Sequence, residues 1–241
     1  MAEHVLTGGL LLFHGVDLSN FASQVALDLS AEAKDSTCLG HTTRRRKGGL
    51  KDTALSAAGF FEAAEPDATL FAAAGASDKI ITVSHSQTIG NIAYFLKALL
   101  GEYEPFGGSV GDLAGFRLNA GCSDGDLIRA TLMEFDTETA SANGTGRQLG
   151  AVSASQSVYA ALHILTVSGT SPTLDLKIQS DDNASFTSAT DRITFSQATA
   201  VGAQFGSLAG AITDDYWRAV WTIGGTDDPT FRFAVSVGIQ A

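Results

Sequence analysis

Charge, proline and cysteine are all scarce in this sequence. Only 17% of its 241 residues are Asp, Glu, Lys or Arg, four are proline and 44% are hydrophobic. That balance excludes a disordered chain and, together with 26 unpatterned glycines, a collagen-like or coiled-coil fibre. The two cysteines, Cys38 and Cys122, each stand among Gly, Ser, Thr and Asp, and are expected to be free thiols rather than a disulfide framework. Long hydrophobic runs are missing as well: Val5–Phe13 and Ile92–Leu100 fall short of the roughly 18 residues needed to cross a bilayer. No membrane insertion by this chain is expected. Met1-Ala2-Glu3-His4 offers no basic start of a secretory signal, and Gly8-Gly9 breaks the apolar stretch that follows. Positive charge is the last shortage. Fifteen cations against 26 acids leave a net charge of −11, which argues against gripping nucleic acid through the overall field.

Sites with chemistry are equally hard to find. His4, His14, His41, His85 and His163 are scattered without His-x-x-x-His or Cys-x-x-Cys spacing, so no metal is expected. Neither a Gly-x-Ser-x-Gly elbow nor a phosphate-binding loop appears. Ser84-His85-Ser86 reads as a polar strand end, because neighbouring residues on a strand point to opposite faces. Gly107-Gly108-Ser109-Val110-Gly111 lacks a lysine and reads as a tight loop between strands. The acid pairs at Asp181, Asp214 and Asp227 suit solvated turns better than calcium. The chain is expected not to be an enzyme and to need no cofactor.

What the sequence does contain is short apolar runs punctuated by Gly, Ser, Asp and Asn, the signature of strands and turns. Strands are expected at Val5–His14, Gln24–Ser30, Leu55–Phe61, Lys79–Val83, Leu127–Phe135, Val158–Val167, Leu174–Gln179, Arg192–Phe195, Tyr216–Ile223 and Phe231–Ile239. In the last, Phe231, Phe233, Val235, Val237 and Ile239 alternate with smaller or polar residues, a clean period of two. One short helix is expected over Glu65–Gly75, with Pro66 in its first turn and Gly75 at its end. Ile92–Leu100 fits helix or buried strand equally. The small polar residues of Thr137–Gly150 mark the best boundary, giving domains at 1–140 and 141–241, the second a β-sandwich. The charges of the two parts are −8 and −3.

Two local features stand out. His41–Lys51 holds five of the 15 basic residues, in Arg44-Arg45-Arg46-Lys47-Gly48-Gly49-Leu50-Lys51. Consecutive cations repel one another, so the run calls for an acidic surface opposite, and on an acidic protein that surface can belong to another copy. Tyr216-Trp217-Arg218-Ala219-Val220-Trp221 offers aromatics that suit a sugar as a minority reading and core packing as the main one.

The residues Gly15-Val16-Asp17-Leu18-Ser19, Val25–Glu32, Asp35-Ser36-Thr37 and Gly49-Leu50-Lys51-Asp52, followed by Leu55–Phe61, resemble in order and spacing the opening of major tail tube proteins of long-tailed bacteriophages. Weaker echoes continue through Asp78–Val83, Ala93-Tyr94-Phe95 and Gly111–Phe116, so the resemblance spans roughly the first 135 positions. Residues 141–241 extend beyond the shorter members of that family. The resemblance implies a tail-tube-like β-sandwich or barrel with one flanking helix, a virion location after assembly in the host bacterial cytoplasm, and subunits closing into hexameric rings that stack into a tube. It implies as partners further copies of the chain and other tail proteins such as the tape measure, tail terminator and distal tail protein. Double-stranded DNA would pass through the lumen without tight binding. It also makes the long loop at 44–51 an inter-subunit contact, while Asp28 and Glu32 are expected on a lumen-facing or subunit-facing sheet surface. The competing expectation is a capsid-decorating or tail-tip adhesin whose C-terminal sandwich binds glycan.

Overall fold

The computed structural model of the protein describes residues 6–62 and 65–241. It is mainly β with one short helix. In chain order the elements are β1 (Leu10–Phe13), β2 (Val16–Asp17), β3 (Ala22–Asp35), β4 (Arg46–Phe60), α1 (Glu65–Ala73), β5 (Lys79–Ser84), β6 (Ile92–Gly107) and β7 (Gly115–Glu138). They continue with β8 (Ala142–Asn143), β9 (Arg147–Gln148), β10 (Ser157–Asp181), β11 (Thr190–Thr194), β12 (Gly202–Ala209) and β13 (Tyr216–Gln240). All ladders are antiparallel, and the main path runs β11-β10-β13-β7-β6-β5-β1-β2.

Local chemistry explains most boundaries. The first apolar run becomes a strand only from Leu10, because Gly8 adopts φ +73° and interrupts it; Val5 lies outside the described residues. Pro66 sits in the first turn of α1, and Gly75 at φ +78° takes the left-handed conformation that ends it. The segment 92–100 is strand. Ala93, Phe95, Leu96, Ala98 and Leu100 are all fully buried, so both faces are covered and neither period shows in the sequence.

The pairs of strands expected on either side of 168–173 and of 224–230 are continuous elements, β10 and β13, that double back. Their mutual register shifts between Ser168 and Thr173, where Gly169, Ser171, Gly225, Asp227 and Asp228 take positive φ. The ring centroids of Trp221 and Phe233 lie 5.4 Å apart, whereas a straight strand would hold these residues about 40 Å apart. The two halves of β10 and β13 thus close over one core containing Trp217, Phe231, Phe233, Leu162 and Ile178.

A second core, around Phe13, Leu18, Leu55, Ile81, Leu96 and Phe116, is covered by α1 through Leu70 and Ala73. Between the two, the main sheet rolls up. Thr82 Oγ1 on β5 and His163 Nε2 on β10 share a buried hydrogen bond of 2.9 Å, and Phe95 on β6 meets Phe205 on β12 edge-on at 6.0 Å. The β7–β13 ladder, from Glu138↔Phe231 to Thr131↔Val237, and an Asp17–Arg232 ion pair of 2.9 Å join the N-terminal and C-terminal parts.

Candidate functional site

The longest excursion from this body is the β3–β4 ribbon. Its register runs from Ala22↔Gly59 to Asp35↔Arg46, with a bulge at Ala31–Ala33. β4 leans on β7 only from Ala54 to Phe60. Thr53 is buried at the root; residues 28–35 and 42–52 are exposed. The ribbon therefore leaves the sheet as a two-stranded arm.

The basic run lies at its end. Arg44 and Arg45 belong to the connection, whereas Arg46, Lys47, Gly48, Gly49, Leu50 and Lys51 open β4. The expected loop is strand here, and the signal was missing because both faces of the arm meet solvent and no apolar period forms. The tip is nonetheless ordered by its own polar groups. Asp35 Oδ1 accepts the Thr37 N–H at 2.8 Å, Thr37 Oγ1 accepts the Arg45 N–H at 2.9 Å, and His41 Nδ1 accepts the Cys38 N–H at 3.0 Å. Hydrogen bonds from the Thr37 side chain and backbone hold the Asp35 carboxyl below its ordinary range. Lys34 stands opposite Lys47, a like-charge pairing that disfavours the arm in isolation. Across residues 33–51 six cations face a single acid, Asp35. The arm is thus a positive projection from a negative molecule.

The alternation of β3 and β4 sorts the remaining side chains. Val25, Leu27, Leu55 and Ala57 turn toward the second core. The opposite set, Gln24, Ala26, Asp28 and Ser30 on β3 with Asp52, Ala54, Ser56 and Ala58 on β4, lies on the other face. Glu102 and Glu104 on β6 and Arg117 and Asn119 on β7 continue that face and are exposed. Asn119 Nδ2 donates to Glu102 Oε2 at 2.7 Å. A broad sheet surface of small, polar and acidic groups results, carrying Asp28, Asp52, Glu102 and Glu104, with Arg117 opposite Glu104. Asp28 is exposed on this face. Glu32 is exposed farther out on the arm, beside the bulge, paired with Lys34. Beyond Asp28 the outer edge of β3 faces solvent along the arm, and β4 is its one partner among the described residues.

The remaining sequence features are engaged internally. Ser84 Oγ donates to the Ser86 and Ile92 carbonyls at 2.7 and 2.8 Å; it caps a turn. Asp181 accepts the Asn183 and Ser188 N–H groups, and Asp214 accepts from Ser180 and Arg192. No group of three or more potential metal ligands occurs among the described residues. Trp217 and Trp221 are buried, their indole N–H groups donating to the Gly150 and Ala140 carbonyls. Both tryptophans that prompted the sugar reading belong to the core, while Tyr216 is half-buried. Cys38 and Cys122 are free thiols, the first exposed; burial pushes the Cys122 thiol up.

Neither a family model nor a curated protein matches the chain. Solved structures do. A chain in the virion of a native gene transfer agent particle matches at 20% identity over 49% of this chain and 94% of its own, with a TM-score of 0.40. A chain in the tail of an empty gene transfer agent particle, of C6 symmetry, matches at 18% identity over 45% and 81%, with a TM-score of 0.37. The SPP1 Dit protein (gp 19.1), described as a paradigm of the hub adsorption apparatus in phages infecting Gram-positive hosts, matches at 12% identity over 98% and 100%, with a TM-score of 0.38. Likeness at these scores carries no argument about function.

Proposed function

We propose that this chain is a structural subunit of a bacteriophage tail tube, forming stacked hexameric rings whose lumen conducts DNA during genome ejection. The observation that carries this reading is the bare face of β3, β4, β6 and β7. It spans four strands, has no covering layer among the described residues, and presents small groups with Asp28, Asp52 and Glu102. A wall that must let a polyanion slide should offer few phosphate contacts, since each added Lys or Arg contact strengthens binding in a salt-dependent way. Large apolar side chains would likewise grip; Phe60 and Phe106 stand at the rim of this face and Leu99 beside Gly121.

The open edge of β3 supplies the means of closure, because an unpaired strand edge is a template for pairing with another chain. Residues 1–140 hold the arm, the bare face and the free edge. Residues 141–241 supply nearly all of the core around Trp217, Phe231 and Phe233, and their division from the first part belongs to the same proposal. The glycan-binding adhesin would need an aromatic platform that Trp217 and Trp221, both buried, do not provide.

Negative-stain electron microscopy of the purified protein at high concentration tests the proposal. Stacked rings or tubes are expected; a population that stays dispersed at every concentration and salt would overturn it.

A further inference from the structure

Resting on the tube reading, the geometry points to a specific acceptor for the basic arm: the β6–β7 turn end of another copy, built from Phe60, Phe106, Val110 and Leu113 with Glu104 and Asp112.

Three observations carry it. The first is direction. β4 runs from Arg46 in the arm to Phe60, and Phe60 pairs with Gly115 beside the 108–114 turn. Fifteen extended residues place the two ends about 50 Å apart. The arm cannot fold back onto its own turn, so any contact between them is between molecules.

The second is charge. Residues 103–115 contain Glu104 and Asp112 and no Lys or Arg, with Arg117 opposite Glu104 on β7, whereas the arm carries Arg44, Arg45, Arg46 and Lys47. Exposed pairs are individually weak and screened by salt, but four cations against two acids repeat at every subunit.

The third is apolar surface. Phe106 and Leu113 are 68% and 76% exposed, Val110 is fully exposed and Phe60 is half exposed. On the arm Leu50 is 78% exposed and Leu39 fully so. Clustered exposed hydrophobics rimmed by charge mark interaction sites. A projection at one end matched to a patch at the other is a heterologous contact, which propagates instead of closing on itself.

Cys38, exposed at the arm tip, makes the contact testable. In a Cys122→Ser background, Val110→Cys and Leu113→Cys variants are assembled, treated with a short bis-maleimide and run on a denaturing gel. Ladders of covalent multimers are expected from both and should vanish with Cys38→Ser; a Ser155→Cys control, exposed on the C-terminal part, should give none. A second measurement covers variants that assemble poorly. Replacing Arg44, Arg45, Arg46 and Lys47 by Glu, or Glu104 and Asp112 by Lys, should each reduce tube yield at least tenfold, and combining the two sets should restore it. Tubes that form without a ladder at 110 or 113, or a combined variant that fails to recover, overturn the acceptor while leaving the tube reading intact. Wild-type protein that never forms tubes overturns both.

Discussion

At the scale of single residues, the most constrained group is His163. On β10, between β12 and β13, it is fully buried, with Thr82 of β5 as the partner of Nε2 and none for Nδ1 among the described residues. Burial first, and the nearby His14 second, push its pKa down to about 3. The imidazole is therefore neutral in the fold, while in the unfolded chain it protonates near pH 6.5. Below pH 6.5 the unfolded state binds the extra proton, so this contribution to stability is present above pH 6.5 and is lost progressively as pH falls toward 3. Two units below the unfolded value the loss is about 3 kcal/mol. His163→Gln, which keeps a group able to bond Thr82, is expected to lower stability at pH 7.5 yet flatten its fall between pH 6.5 and 4.5. Thermal unfolding of both proteins across that range checks it, and parallel curves would contradict the assignment. Nothing about His163 was legible in the sequence, since a lone histidine between Leu162 and Ile164 has no pattern that predicts a partner on β5. The tryptophans were legible, because a period of two with apolar neighbours already favoured the core.

At the scale of elements, the contrast lies between β13 and the β3–β4 arm. The Phe231–Ile239 half of β13 faces a core on each side of its sheet and was plain from alternation alone. β12 escaped notice because Gly202–Ala209 is half exposed and rich in Gly and Ser. The outer part of the arm escaped because periodicity records burial, and nothing among the described residues buries it. A two-stranded ribbon is marginal in water, here with Lys34 set against Lys47. In unassembled subunits the backbone amides of residues 29–52 are accordingly expected to exchange with solvent far faster than those of β10 and β13, and to become protected on assembly. Hydrogen exchange read by mass spectrometry checks this; equal protection before and after assembly would show that the arm meets no partner. Replacing Arg44, Arg45, Arg46 and Lys47 by Ser should leave the fold intact, as judged by circular dichroism. It should also lower tube yield and weaken its dependence on salt.

At the scale of the whole molecule, the charge is divided. The arm is positive within a chain of net charge −11, and the four-stranded bare face carries more acids than cations. Fold class and the exposure of Asp28 followed from sequence pattern. The breadth of that face did not, because it depends on β6 and β7 continuing past Leu100 and starting before Leu127, in stretches whose alternation is broken by bulges. The most direct measurement of the central claim is a cryo-electron microscopy reconstruction of tubes assembled from the purified chain. The account predicts six subunits per ring with Asp28, Asp52 and Glu102 lining the lumen. A tube that turns this face outward, or whose lumen is lined mainly by Lys and Arg, would contradict it.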